Sequence, residues 1–247
     1  MDLGLTDRVY VVTGGSKGLG YATAYALVAE GARVVLTGRT EETVTAAAER
    51  LGVVGVACDN ADPATPGRLL AAARENYGRV DGLVLSVGGP PAGSVTAATD
   101  EQWREAFESV FLGAVRLARE VAAALGEGGS IAFVLSSSVR APIGALGISN
   151  GLRPGLAMVA KSLANELGPR GVRVNGLMPG RIATDRMTYL NERSTPEQRA
   201  AAMAAIPLGR SGDPGEFGRV AAFILSPAAS YVTGAMIPVD GGAQPGL

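Results

Sequence analysis

Residues 13–20 read Thr-Gly-Gly-Ser-Lys-Gly-Leu-Gly, and they stand between two segments of opposite periodicity. Before them runs Val9-Tyr10-Val11-Val12, a short apolar stretch with strand character. After them, Leu19 to Glu30 carries helical spacing and stops at Gly31. A strand that passes through a glycine-rich turn into a helix start forms a cradle for phosphate. Glycines let the backbone approach a pyrophosphate, and the first-turn N–H groups and the helix dipole favour its charge. Gly14, Ser16, Lys17, Gly18, Leu19 and Gly20 are therefore the first candidate binding residues. A glycine run alone is common, but in this strand–turn–helix setting it points to a dinucleotide.

The same alternation continues along the chain. Strands are predicted at 33–37, 53–57, 83–85, 130–135, 172–175 and 235–239. Helices are predicted at 41–51, 63–77, 100–125, 149–167 and 214–225. Residues 180–212 look irregular, with a charged segment and the breaker Pro207. Strands alternating with helices imply an α/β fold, a Rossmann-like, doubly wound parallel sheet of about seven strands with helices on both faces in three layers. No linker, repeat or low-complexity tract divides the 247 residues, so 1–247 is read as a single domain, with a substrate-covering lid at about 184–206.

Composition narrows the chemistry. The chain contains no histidine and one cysteine, Cys58, which removes Ser-His-Asp hydrolysis, zinc clusters and internal disulfides. No metal site is expected. Net charge is −1 without a basic block, so neither nucleic acid nor an anionic membrane surface is an expected partner. No signal peptide is visible and no apolar run reaches the roughly eighteen residues of a membrane span. The expected setting is cytoplasmic, and the chemistry must come from hydroxyls, carboxylates, Lys, Arg or a bound cofactor.

In such a sheet the residue just past strand two meets the adenosine ribose. An acidic residue there would hold a 2′-hydroxyl, whereas this chain has Arg39 and Thr40, with Lys17 in the glycine turn. Two cations around that position favour NADP(H) over NAD(H). Strand three ends at Asp59-Asn60, where Asp59 suits the adenine amino group.

Taken together, these motifs resemble the short-chain dehydrogenase/reductase family in its compact form. Thr13-Gly14-x3-Gly18-x-Gly20 matches the cofactor turn, and Pro179-Gly180-Arg181-Ile182-Ala183-Thr184 is similar to the loop that contacts the nicotinamide. Tyr231-Val232-Thr233-Gly234 and Val239-Asp240-Gly241-Gly242 resemble the C-terminal signature. The resemblance implies cofactor contacts at Pro179, Gly180, Ile182 and Thr184, and at Ser86-Val87-Gly88, which stands where the family has Asn-Ala-Gly.

It also implies a catalytic set of Ser, Tyr, Lys and Asn, and here the chain departs. Ser136 falls at the serine position. Thirteen residues on, Ser149 occupies the tyrosine position, and Arg153 the lysine position, where it would hold the nicotinamide ribose. Seven residues after Trp103, Val110 occupies the asparagine position. A serine hydroxyl is a much poorer acid than a phenol, and an arginine cannot give up its proton. Tyr189, in the covering segment, is the candidate replacement donor. Ser137 and Ser138 beside Ser136 read as hydroxyls capping a strand end.

Three functions stay open. One is an NADP(H)-dependent ketone/alcohol oxidoreductase working without the usual acid. The others are a nucleotide-holding enzyme with non-redox chemistry, such as cyclisation, dehydration or epimerisation, and a non-catalytic NADP(H)-binding protein. The loops at 89–91 and 140–148 and the segment 184–206 are largely apolar, which suits a hydrophobic small molecule. The resemblance further implies a homo-oligomer, tetramer or dimer, and the face Ala106, Val110, Ala114, Leu117, Val121 and the tail Gly241-Gly242-Ala243 are compatible with one.

Overall fold

A computed structural model describes residues 1–246 of the chain. Seven strands form a single sheet: β1 (Val9–Val12), β2 (Arg33–Gly38), β3 (Val54–Ala57), β4 (Gly82–Leu85), β5 (Ser130–Val134), β6 (Arg173–Pro179) and β7 (Met236–Val239). Their spatial order is β3-β2-β1-β4-β5-β6-β7, and every pair is parallel. The order reverses between β1 and β4, which opens a crevice at their carboxyl ends.

Helices α1 (Gly18–Ala29), α2 (Glu41–Leu51) and α9 (Pro214–Leu225) cover one face, where Tyr10, Leu36 and Phe217 are fully buried. On the other face, α3 (Thr65–Tyr77), α4 (Asp100–Ala106), α5 (Gly113–Ala124) and α6 (Gly147–Leu167) pack over Leu83, Ile131 and Phe133. Strands buried on both faces read as continuous apolar runs, which is why β1 and β4 carry no alternation. α1 and α9 meet closely: a Cβ on Gly218 would run into the carbonyl of Ala22.

The end of the sheet away from the crevice is pinned by polar ties. Arg173 donates to the carbonyls of Ile224, Leu225 and Ser226 at 2.7, 3.0 and 2.9 Å, and Ser130 donates to Leu225 at 2.7 Å. These bonds satisfy carbonyls left open at the C-terminus of α9.

Four expectations are corrected. The helix expected over 100–125 is broken by a π turn at Phe107–Leu112, which separates α4 from α5. Just beyond it, Gly113 lies against the carbonyl of Asn60, a contact that any side chain at 113 would block. The face Ala106, Val110, Ala114, Leu117 and Val121 is inside the core, each residue at most 5% exposed, so it is not a surface for assembly. Residues 180–212 are largely helical, forming α7 (Asp185–Glu192) and α8 (Pro196–Ala204); the second is fixed by a Thr195–Gln198 capping box. β6 also runs four residues further than expected, because its far half pairs with β7 from Gly176 to Pro179.

Among the described residues no helix is long and apolar enough to cross a membrane. Gly218→Ala should lower stability by about 1–3 kcal/mol through overpacking of the α1–α9 contact. Urea unfolding compared with wild type measures this.

Candidate functional site

Thr13 draws the ends of β1 and β4 together. Its backbone N–H donates to the Val84 carbonyl at 2.9 Å, its hydroxyl donates to the Ser86 carbonyl at 3.1 Å, and the Ser86 N–H donates to that same hydroxyl oxygen at 3.0 Å. Gly14 follows with a left-handed backbone (φ 55°) and presses on the Ser86 carbonyl, so that neither its conformation nor its contact admits a side chain. Gly18 is also left-handed (φ 58°), and a Cβ there would meet only the Thr184 side chain, at 3.8 Å. Lys17 caps α1 without a side-chain bond, and the first turn carries no acidic residue. The leading N–H groups of α1 thus face the crevice without a protein acceptor, as an anion site requires.

At the end of β2, Arg39 and Thr40 are exposed, and the Thr40 hydroxyl makes no cap bond to α2. Asp59, at the end of β3, holds its turn through an Oδ1 that accepts from the Ala61 N–H at 2.9 Å. Ser86 is buried, Val87 half-buried and Gly88 exposed, with nothing within 4 Å of where a Cβ on Gly88 would sit.

Beyond β5, the Ser136 Oγ accepts from the Ser138 N–H at 3.1 Å, which leaves its own O–H free to donate. Helix α6 presents Ser149 and Arg153 on one face, one turn apart and buried (6% and 5% exposed). The Ser149 hydroxyl has no hydrogen-bond partner among the described residues. The Arg153 guanidinium donates to the carbonyl of Val134 at 2.6 Å and to that of Val87 at 3.2 Å. It therefore bridges the ends of β5 and β4. Burial, and then the positive charge of Arg186, pull its pKa down to about 10, which still leaves it charged at neutral pH.

The segment expected to cover the crevice begins at Pro179-Gly180. Gly180 sits against Asp240, where a Cβ would come 2.6 Å from the Asp240 Cα. Ile182 is buried, and Thr184 starts α7 with its hydroxyl on the Ile182 carbonyl (3.4 Å). Asp185 reaches Lys17 at 3.7 Å, joining this segment to the glycine turn. Arg186 turns the other way, lies flat on Gly89 and donates to the Pro90 carbonyl at 2.8 Å. Tyr189 is half-buried beneath two guanidiniums, Arg186 at 5.1 Å and Arg193 at 3.7 Å from its ring.

The crevice thus gathers the β1–α1 turn, the ends of β2, β3, β4 and β5, Ser149 and Arg153 on α6, and the start of α7. Two features escaped the sequence reading. Arg186 was not singled out; only the spacing of 186, 189 and 193 on one helical face hinted that it belongs with Tyr189. Arg153, expected over a ribose, spends its fork on two backbone carbonyls.

This architecture has close counterparts among known proteins. The family model for enoyl-(acyl carrier protein) reductase matches residues 14–244. A 3-oxoacyl-(acyl-carrier-protein) reductase of Vibrio cholerae is 33% identical, over 97% of this chain and 98% of its own length. An oxidoreductase of Methylorubrum extorquens is 34% identical, over 97% and 99%. Among solved structures, L-sorbose reductase of Gluconobacter frateurii complexed with NADPH and L-sorbose superposes with a TM-score of 0.90 at 30% identity, with both chains covered in full. A short-chain dehydrogenase/reductase of Brucella melitensis gives 0.92 at 31%, again with full coverage. The chain belongs to the short-chain dehydrogenase/reductase family. It is an oxidoreductase of that family.

Arg153→Lys should cost about 1–3 kcal/mol, because one ammonium cannot span both carbonyls and one is left without a donor. The difference in unfolding free energy between the two proteins tests this.

Proposed function

We propose that the protein is an NADP(H)-dependent oxidoreductase that interconverts a ketone and a secondary alcohol on a small molecule with an apolar body. The observation that carries this reading is the uncapped start of α1 behind left-handed Gly14 and Gly18, open at the crevice where the sheet reverses. The residues fit the nucleotide along its length. The α1 N–H groups and Lys17 would hold the diphosphate, and Arg39 with Thr40 would receive the 2′-phosphate. Asp59 and Asn60 would flank the adenine, Ser86, Val87 and Gly88 would line the path, and Pro179, Gly180, Ile182 and Thr184 would meet the nicotinamide edge. That the similar L-sorbose reductase is complexed with NADPH supports the choice of nucleotide.

When bound, the reduced nicotinamide supplies a hydride to the carbonyl carbon. Ser136, whose oxygen already accepts from Ser138, donates its O–H to the substrate oxygen and orients it. Arg153 stabilises negative charge on that oxygen through its field, while its N–H groups keep the ends of β4 and β5 fixed. Ser149 is too weak an acid to protonate an alkoxide unaided, so the proton comes from water at the crevice or from Tyr189 above it. Without a positioned acid the rate falls by about 10²–10⁴ against a site that has one. The test is NADPH consumption, followed by absorbance, across a panel of ketones. Nucleotide binding with no consumption by any carbonyl would favour non-redox chemistry or a binding role.

Arg39→Ala should weaken NADPH by about tenfold or more while leaving NADH little changed, since one charge-assisted contact to the 2′-phosphate is lost. Fluorescence titration of both nucleotides checks the prediction. Equal losses, or none, would overturn the assignment of Arg39.

A further inference from the structure

Two guanidiniums converge on one short loop after β4. Arg153 donates to the Val87 carbonyl and Arg186 to the Pro90 carbonyl, three residues apart. The first comes from α6 inside the protein and the second from α7 above the crevice, so together they bracket the mouth of the site. Neither has a carboxylate within 4 Å among the described residues. The nearby acids are otherwise engaged: Asp185 on Lys17 and Asp240 on the N–H groups of Gly242 and Gln244. Arg153 is buried and Arg186 half-buried over the Tyr189 ring; burial lowers the pKa of both, and the charge of Arg186 lowers that of Arg153 further.

An unpaired buried charge is costly, and proteins normally answer it with an opposite one. Here the counter-charge is missing on the protein side. Arg186 has five N–H donors and commits one, to Pro90, so its remaining four have no acceptor among the described residues. Its fork suits a carboxylate held by two parallel bonds. The glycine turn does not compete for it, because Asp185, one residue earlier, is the group that faces Lys17.

We propose that Arg186 is the specificity-determining residue for an anionic substrate, an oxo-carboxylate whose acid group is received by the uncommitted N–H groups of Arg186 beside the β4 loop while its ketone lies by Ser136 and Ser149. This rests on the oxidoreductase reading above and refines it: the substrate pairs an apolar body with an acidic end. Arg153 adds positive potential behind the acid group without leaving its two carbonyls.

The experiment uses the full chain saturated with NADPH, challenged with 2-oxo and 3-oxo carboxylates and with their methyl esters. Wild type should show a higher thermal midpoint with an acid than with its ester. Where turnover occurs, kcat/KM should favour the acid by about tenfold or more. Arg186→Gln should erase this preference, and Arg186→Lys, which keeps the charge but loses the fork, should retain part of it. Equal responses to acid and ester in wild type would overturn the proposal. So would an Arg186→Gln protein that loses both substrates equally, which would make Arg186 a latch for α7. A third overturning result is a tenfold loss of NADPH affinity in Arg186→Gln with the acid preference intact, which would assign the residue to the nucleotide. Failure of wild type to bind NADPH would sink the oxidoreductase reading itself, and titration before any substrate is added separates that case.

Discussion

The clasp between Thr13 and Ser86 sets the geometry on which the site depends. One hydroxyl accepts a backbone N–H from the neighbouring strand end and donates to a carbonyl there, so that β1 and β4 are held at a fixed spacing where the strand order reverses. Gly14 must then pass the Ser86 carbonyl in a left-handed conformation, and that step aims the following turn and α1 across the crevice. The placement of the glycine turn is thus a consequence of how two strands end. The opposite end of the sheet is fixed by Arg173 and Ser130 on the carbonyls that close α9.

Within that frame Ser149 and Arg153 make physical sense as a pair. The family resemblance implies a phenol and an ammonium one helical turn apart. Here a small hydroxyl without a protein partner stands above a forked cation that reaches back to Val134 and Val87. The guanidinium has become part of the scaffold as well as a source of field, and it can no longer be a proton carrier. The second guanidinium, on α7, turns an opening lined by apolar loops into one with a pronounced positive side.

Much of this was readable in the chain. β1, its glycine turn and α2 stood at their final positions because local pattern and turn chemistry agree there. The second half of β6 was not legible, since its partner β7 lies sixty residues away and only pairing tells that Gly176 to Pro179 are strand. The stretch 180–212 hid two helices because each is short and neither buries a residue fully, so no apolar stripe marks them. Within the site, the turn between β1 and α1 was legible from its glycines. Arg186 was not, because its meaning depends on Gly89 having no side chain, a contact between distant loops. The stripe Ala106 to Val121 was visible as apolar, but periodicity does not say whether an apolar face meets the protein's own sheet or another molecule.

The π turn at Phe107–Leu112 carries a structural consequence of its own. It holds one residue more than an ordinary helical turn, and that surplus sets how α5 is rotated relative to α4. Wound straight through as α-helix with its residue count unchanged, the chain would turn every side chain beyond by about 100°. Leu117 and Val121 would leave the sheet and Gly113 would lose its seat on the Asn60 carbonyl. The phasing of half a helix, and with it the contact of Gly113 with the end of β3, therefore depends on that one wide turn.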